Sequence, residues 1–164
     1  MQNVALFLQT KANSCPHDSR DFDLFGRSSF NRYYYAAYLE VRSLLGSLNE
    51  SWATAQHSSI PKLLNGQIVE QIGRKRQRAA KLGDTAALQI CSRAKQSAHD
   101  LAALMETAYA TRVTADYHPE VIVEAETRGR FRLNLVSVTI AHDWPVKARE
   151  NGERIKRAWR LSDE

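Results

Sequence analysis

Apolar side chains recur at steps of three and four residues along most of the chain, which is the spacing of one buried helix face. The clearest stripe follows Ser28 and Ser29, either of which suits a helix N-cap. A second stripe leads into the segment around residue 112. We therefore predict two long amphipathic helices, whose apolar stripes are Phe30, Tyr34, Ala37, Val41, Leu44 or Leu45 and Leu48, and Ala94, Ala98, Leu101, Met105 and Ala108.

Shorter elements are predicted around these two helices. Residues 13–25 contain Pro16 and three aspartates, which is typical of a loop. A third helix should begin at Ser58 or Ser59, just before Pro61, and should end at Gly83. The remaining predicted helices are Asn3–Ala12, Thr85–Val113 and a C-terminal one from Ser137 to Trp159, which Pro145 should kink unless it lies near the first turn.

The periodicity changes between residues 121 and 134. Val121, Val123 and Ala125 alternate with other residues, as do Phe131 and Leu133 after an Arg-Gly pair. This alternation predicts a small β-hairpin inserted into a helical protein. With 164 residues and 43% hydrophobic content, the chain is long enough for one domain over residues 1–164 with a real core.

Composition and charge limit the function classes. The chain has no apolar run long enough to span a membrane and no signal peptide, so we expect a cytoplasmic protein without a membrane partner. The two cysteines lack metal-ligand spacing, and we expect neither a metal nor a cofactor. The net charge is +5, and one cluster puts five cations into eight residues without an acid: Arg74, Lys75, Arg76, Arg78 and Lys81. That cluster predicts RNA binding, although a solvated helix face would give the same pattern.

The segment 110–119 carries the candidate chemistry. Continuing the apolar rhythm beyond Ala108 reaches Arg112, and a guanidinium on a buried face needs an anionic or carbonyl partner. His118 follows six positions later, and histidine is a common general acid or base in catalysis. Two interpretations stay open for each: Arg112 binds a phosphate or pairs with Asp116, and His118 is a catalytic base or a loop histidine.

Three ordered motifs resemble HEPN domains, small helical modules of prokaryotic toxin and defence systems. The first is Ser29-Phe30-Asn31-Arg32-Tyr33-Tyr34-Tyr35-Ala36-Ala37-Tyr38, the second is His57 at the start of a helix, and the third is Arg112-Val113-Thr114-Ala115-Asp116-Tyr117. The resemblance covers residues 27–119, with a looser tail over 120–160 that holds the hairpin and the last helix. It implies an all-α, up-and-down bundle of four to five helices that forms a homodimer.

In many HEPN members the bundle is a metal-independent endoribonuclease that acts as a toxin or defence effector. The resemblance then implies an Arg112/His118 catalytic site at the dimer interface, with Asp116, Tyr117, Asn31 and Arg32 in support and 2′,3′-cyclic phosphate as the product end. Val113 stands where those members carry a polar residue. The alternative is a non-catalytic module that binds nucleotide, RNA or a protein partner, such as an antitoxin or a nucleotidyltransferase.

Overall fold

The computed structural model describes residues 1–161. It is an all-α bundle with a small β insertion, as the sequence predicts, and the insertion is a three-stranded antiparallel sheet. The helices are α1 (Gln2–Asn13), α2 (Arg20–Leu48), α3 (Ile60–Leu63), α4 (Val69–Leu82), α5 (Thr85–Tyr117) and α6 (Val138–Trp159). A π-helical segment, Leu64–Ile68, joins α3 to α4 without a break, and two 3₁₀ helices, Glu50–Thr54 and His57–Ser59, precede them.

Contacts divide the described residues into two compact units. The first unit comprises Met1–Tyr38 and Thr107–Val146, and the second comprises Leu39–Glu106 and residues 147–161. The helices α2, α5 and α6 each contribute residues to both units.

The first unit has an aromatic core. Phe22, Phe30 and Phe131 are buried, and both phenylalanines of α2 meet the Phe131 ring edge to face at 5.7 and 5.8 Å. Such aromatic pairs add stability beyond the area that they bury. Tyr33 and Tyr34 are also inaccessible to solvent, in agreement with the prediction that Tyr34 is a core residue.

The predicted hairpin is present in the first unit. Strands β1 (Val123–Glu126) and β2 (Arg130–Leu133) are antiparallel, with Val123 opposite Leu133, and the sequence did not reveal a short third strand, β3 (Val136–Ser137). Val123 packs closely on α2, since a methyl group at Gly26 would lie 3.0 Å from one of its methyls.

The core of the second unit combines residues of the two predicted stripes with residues of the π-helical segment and α4. Leu44, Leu45, Ile68, Ile72 and Leu101 are buried. Gly83 ends α4 in the left-handed conformation (φ 69°), and the Asp84 carboxylate then accepts from the Ala87 N–H at 2.9 Å to begin α5.

Two predicted boundaries are wrong. Helix α2 begins at Arg20 rather than at Ser28 or Ser29, so the loop between α1 and α2 covers only residues 14–19. Ser29 is a buried residue inside the helix, where its hydroxyl donates to the Gly26 carbonyl at 2.6 Å. Phe22, in the segment that was predicted as a loop, lies on one buried helix face with Gly26 and Ser29, at steps of four and three residues. Helix α5 also extends past Val113 to Tyr117.

Candidate functional site

The candidate site lies in the first unit, where the end of α5 meets the first half of α2. A cleft of about 230 Å³ is present there, and its lining residues are Arg27, Ser28, Asn31, Arg32, Ala115 and Asp116. Three of them, Asn31, Arg32 and Asp116, were predicted from the sequence as supporting residues.

Arg112 forms an ion pair with Asp116, one helical turn further along α5. Its Nε lies 2.8 Å from Asp116 Oδ2, and the Arg112 side chain is only 19% exposed. The buried Nε–H is not aligned on that oxygen, so the contact is electrostatic rather than a well-formed hydrogen bond. The structure shows the ion pair with Asp116, which is one of the two interpretations of Arg112. The other interpretation, phosphate binding, stays open.

Tyr117 covers the other side of the guanidinium. The Arg112 Cζ lies 5.2 Å from the centre of the Tyr117 ring, within the range of a cation–π contact. Arg112 Nη2 also donates to the Tyr117 hydroxyl, but at 3.5 Å, which is long enough for this nitrogen to bind a better acceptor.

Burial alone would lower the pKa of Arg112, but the Tyr117 hydrogen bond and the Asp116 charge outweigh it and raise this pKa. The side chain therefore stays cationic under all ordinary conditions.

Asn31 connects α2 to the same carboxylate. Its Nδ2 donates to Asp116 Oδ1 at 2.6 Å, so the two oxygens of Asp116 contact different partners. Asn31 Oδ1 is buried and has no hydrogen-bond donor among residues 1–161. An unpaired buried acceptor is costly and rare, and it is satisfied when a ligand or water supplies a donor.

Arg27, which sequence reasoning missed, fixes the end of α5. Its Nη1 donates to the Ala115 carbonyl at 2.9 Å, its Nη2 donates to the Val121 carbonyl at 2.7 Å, and Asp23 binds its Nε at 2.9 Å. The last carbonyls of a helix lack partners within the helix, so a buried guanidinium is a strong C-terminal cap. The Asp23–Arg27 spacing of four residues is typical of a helix pair and is the signal that could have located it.

His118 lies directly after α5, and its N–H still bonds to the Thr114 carbonyl at 3.2 Å. The imidazole is 49% exposed, and its Nδ1 lies 2.9 Å from Glu120 Oε1. A backbone hydrogen bond and the one from His118 lower the pKa of Glu120, which is therefore a carboxylate at neutral pH. When Nδ1 carries the proton and donates to Glu120, Nε2 is left to accept a proton from a substrate.

Helix geometry separates Arg112 from His118. Six residues correspond to roughly 9 Å along the axis and about 240° of rotation, so the two side chains leave the helix on different faces. Asp116 follows Arg112 by four residues and therefore lies on the same helix face as Arg112. One copy of this helix end therefore does not direct both groups at the same point.

The predicted RNA-binding cluster belongs to the second unit. Arg74 pairs with Glu70 at 2.6 Å, Lys75 Nζ donates to the Leu161 carbonyl at 2.6 Å, and Arg76 Nε donates to Ser92 Oγ at 3.0 Å. Lys75 and Arg78 also line a cavity of about 110 Å³. The side chains of Arg74, Arg76, Arg78 and Lys81 are exposed, as a surface that contacts RNA requires.

Comparisons with known proteins found no match. No family model matches the chain, and no curated protein and no solved structure was found to be similar to it. No helix within residues 1–161 combines the length and apolar character needed to cross a membrane. The same residues contain no group of three or more His, Cys, Asp and Glu side chains placed to hold a metal ion.

Proposed function

We propose that this protein is a metal-independent endoribonuclease of the HEPN type, with Arg112 and His118 as its catalytic residues. The observation that carries the proposal is the state of Arg112: a cation held at 19% exposure, paired with Asp116 of the cleft lining, and with only a long 3.5 Å hydrogen bond from Nη2 to the Tyr117 hydroxyl. A guanidinium in that state suits two phosphate oxygens of an RNA backbone.

The chemistry assigns a role to each residue. His118 Nε2 takes the proton of a ribose 2′-hydroxyl, whose oxygen attacks the adjacent phosphorus. The bond from phosphorus to the 5′-oxygen then breaks, and a second imidazolium gives that oxygen a proton. Arg112 stabilises the negative charge that develops on the phosphorane. The products are a 2′,3′-cyclic phosphate and a 5′-hydroxyl end.

The different directions of Arg112 and His118 favour a homodimer. In a two-fold dimer through this helix end, each site receives groups from two copies, which supplies both the base and the acid. Asn31 Oδ1, which lacks a donor among the described residues, is suited to accept a hydrogen bond from a ribose hydroxyl.

One observation favours a second function, a non-catalytic module that binds nucleotide, RNA or a partner protein. The Asp116 carboxylate lies 2.8 Å from Arg112 Nε and would repel a phosphate at the same guanidinium. Such a module would bind RNA and leave it intact, and an antitoxin or a nucleotidyltransferase would be its partner.

Growth of cells that express the protein tests the toxin role. We expect the wild type to arrest growth, and we expect Arg112→Ala and His118→Ala each to restore it. Arg93→Ala and His99→Ala, at exposed positions of α5, are the matched controls and should stay toxic. Toxicity that survives both site variants would overturn the catalytic assignment, and a harmless wild type that binds RNA would favour the second function.

A further inference from the structure

A second cleft lies wholly within the second unit and is not part of the proposed cleavage site. Its volume is about 330 Å³, close to the lower limit of roughly 300 Å³ for small-molecule sites. Its lining residues are Asn49, Trp52, Gln67, Glu70, Gln71, Arg74 and Trp159.

One wall of this cleft is aromatic. Trp52, from the first 3₁₀ helix, and Trp159, from the end of α6, meet edge to face with ring centres 5.8 Å apart, and both are only half-buried. Both indoles belong to the cleft lining and are partly accessible, so a planar ligand in the cleft can contact indole surface.

The position of Trp52 is well fixed. Asn49 Oδ1 accepts from the Ser51 N–H at 3.0 Å and so caps the 3₁₀ helix, while Arg42 Nε donates to the Ala53 carbonyl at 2.9 Å. Gly46 allows the close approach of this turn, because a methyl group there would lie 3.2 Å from Ala53 Cβ. A fixed aromatic loses little entropy when a ligand stacks on it.

The second wall is formed by polar residues of one continuous helical stretch. Gln67, Gln71 and Arg74 follow each other at steps of four and three residues, so they lie on one side. Gln67 belongs to the π-helical segment, a type of distortion that occurs frequently at functional sites. The amides of Gln67 and Gln71 make no hydrogen bond to any part of residues 1–161, which leaves their donors and acceptors for a ligand.

Arg74 supplies an anion contact at the end of that face. The Arg74 and Glu70 side chains, which form an ion pair, are 68% and 63% exposed. Exposed ion pairs contribute little stability. Arg74 can therefore leave Glu70 for a phosphate at small cost, and Glu70 can then accept from an exocyclic amino group of a base.

We infer that this tryptophan–glutamine cleft binds a nucleotide, with the base against the indoles, its edge on Gln67 and Gln71, and its phosphate at Arg74. Stacking on aromatics and amide contacts to base edges are the two ways in which proteins hold single bases. The nucleotide is either free or part of an RNA strand. The inference does not depend on RNA cleavage, because none of these residues belongs to the Arg112 site.

Tryptophan fluorescence of the whole protein tests the inference. The two probes are 5′-AMP and a single-stranded deoxyadenosine oligonucleotide, which lacks the 2′-hydroxyl and cannot be cleaved by the proposed mechanism. Trp52 and Trp159 report on the cleft, while Trp144 is buried elsewhere. We expect saturable quenching by at least one probe: saturation with 5′-AMP assigns a free nucleotide, and saturation with the oligonucleotide alone assigns a strand.

Variants at the polar wall decide whether the cleft is the binding site. Gln71→Ala should weaken binding about tenfold, the loss expected for one base-edge contact. Gln77→Ala, at an exposed position of the same helix outside the cleft, should leave the affinity for the probe unchanged. Arg112→Ala should leave the quenching by 5′-AMP unchanged, because 5′-AMP bound in this cleft does not reach the Arg112 site, so failure of the cleavage proposal would not affect that result. Equal binding by Gln71→Ala and the wild type, or quenching by maltotriose but by neither nucleotide probe, would overturn the inference.

Discussion

Arg27 donates a hydrogen bond to the backbone carbonyl of Ala115 at 2.9 Å and thereby connects α2 to the last turn of α5. The same guanidinium contacts Val121 and Asp23 and is only 11% exposed. Asp23 in turn accepts from the Val123 N–H at 2.8 Å, so the ion pair also anchors β1. This network determines where the chain around His118 leaves the helix.

Loss of Arg27 should therefore be costly. Arg27→Met keeps most of the apolar stem, but it leaves the Asp23 carboxylate without its cation and the Ala115 and Val121 carbonyls without their Arg27 donor. Because Asp23 would remain a partly buried charge, we expect the free energy of unfolding to fall by about 3 kcal/mol. Urea denaturation measures this free energy of unfolding. Arg93→Met, at an exposed position of α5, should change it by less than about 0.5 kcal/mol, and equal losses in the two variants would contradict the capping role.

Tyr33 should make the protein sensitive to alkaline pH. Its buried hydroxyl donates to Gln9 Oε1 at 2.6 Å, and burial raises its pKa from 10.0 to about 12. The folded protein therefore keeps a proton that the unfolded chain loses, and its stability falls as the pH rises from about 10 to 12. The expected loss is about 2 kcal/mol at pH 12.

Tyr33→Phe removes this titration. Urea unfolding between pH 8 and pH 12 should show a shallower decline for Tyr33→Phe than for the wild type, after a small loss at pH 8 from the missing hydrogen bond. Tyr35→Phe, at a partly exposed position in the same helix, is the control and should decline like the wild type. A Tyr33→Phe curve parallel to the wild type would disprove the role of this hydroxyl.

Two glycines, one inside α4 and one directly after its end, should respond to alanine with changes in stability of opposite sign. Gly83 has a φ of 69°, where an L side chain is strained, so Gly83→Ala should destabilise the protein by about 1 kcal/mol. Gly73 is inside the helix, and a methyl group there meets nothing within 4 Å, so Gly73→Ala should stabilise it by about 0.5–1 kcal/mol. Thermal unfolding of the two variants checks the pair, and shifts of Tm in the same direction would contradict it.

Much of the fold could be predicted from the sequence because packing follows the helical period. Phe30, Tyr34 and Val41 are buried as expected, and Gly83 ends its helix. Composition did not predict the start of α2, because aspartates and arginines without visible partners are typical of a loop. Their hydrogen-bond partners are distant in sequence. Asp23 and Arg27 are helical because each satisfies groups about 90 or more residues away in sequence.

The candidate site could be predicted only in part for the same reason. The sequence indicates that Arg112 lies on a buried helix face, where an unpaired cation is unfavourable, and it suggests Asp116 as the partner. Both inferences follow from local spacing. Asn31 lies 85 residues from Asp116, so its hydrogen bond depends on how α2 and α5 pack. The pairing of His118 with Glu120 depends on the conformation of the chain after α5, which the residue types alone do not determine.

Cleavage of RNA by the purified protein in EDTA is the most direct test of the Arg112/His118 proposal. We predict fragments with 2′,3′-cyclic phosphate and 5′-hydroxyl ends, and a rate at least about 100-fold lower for Arg112→Ala and for His118→Ala, as expected for loss of a catalytic base or charge-stabilising group. His99→Ala should cleave like the wild type. Fragments with 5′-phosphate ends, or site variants that cleave as fast as the wild type, would contradict the proposal.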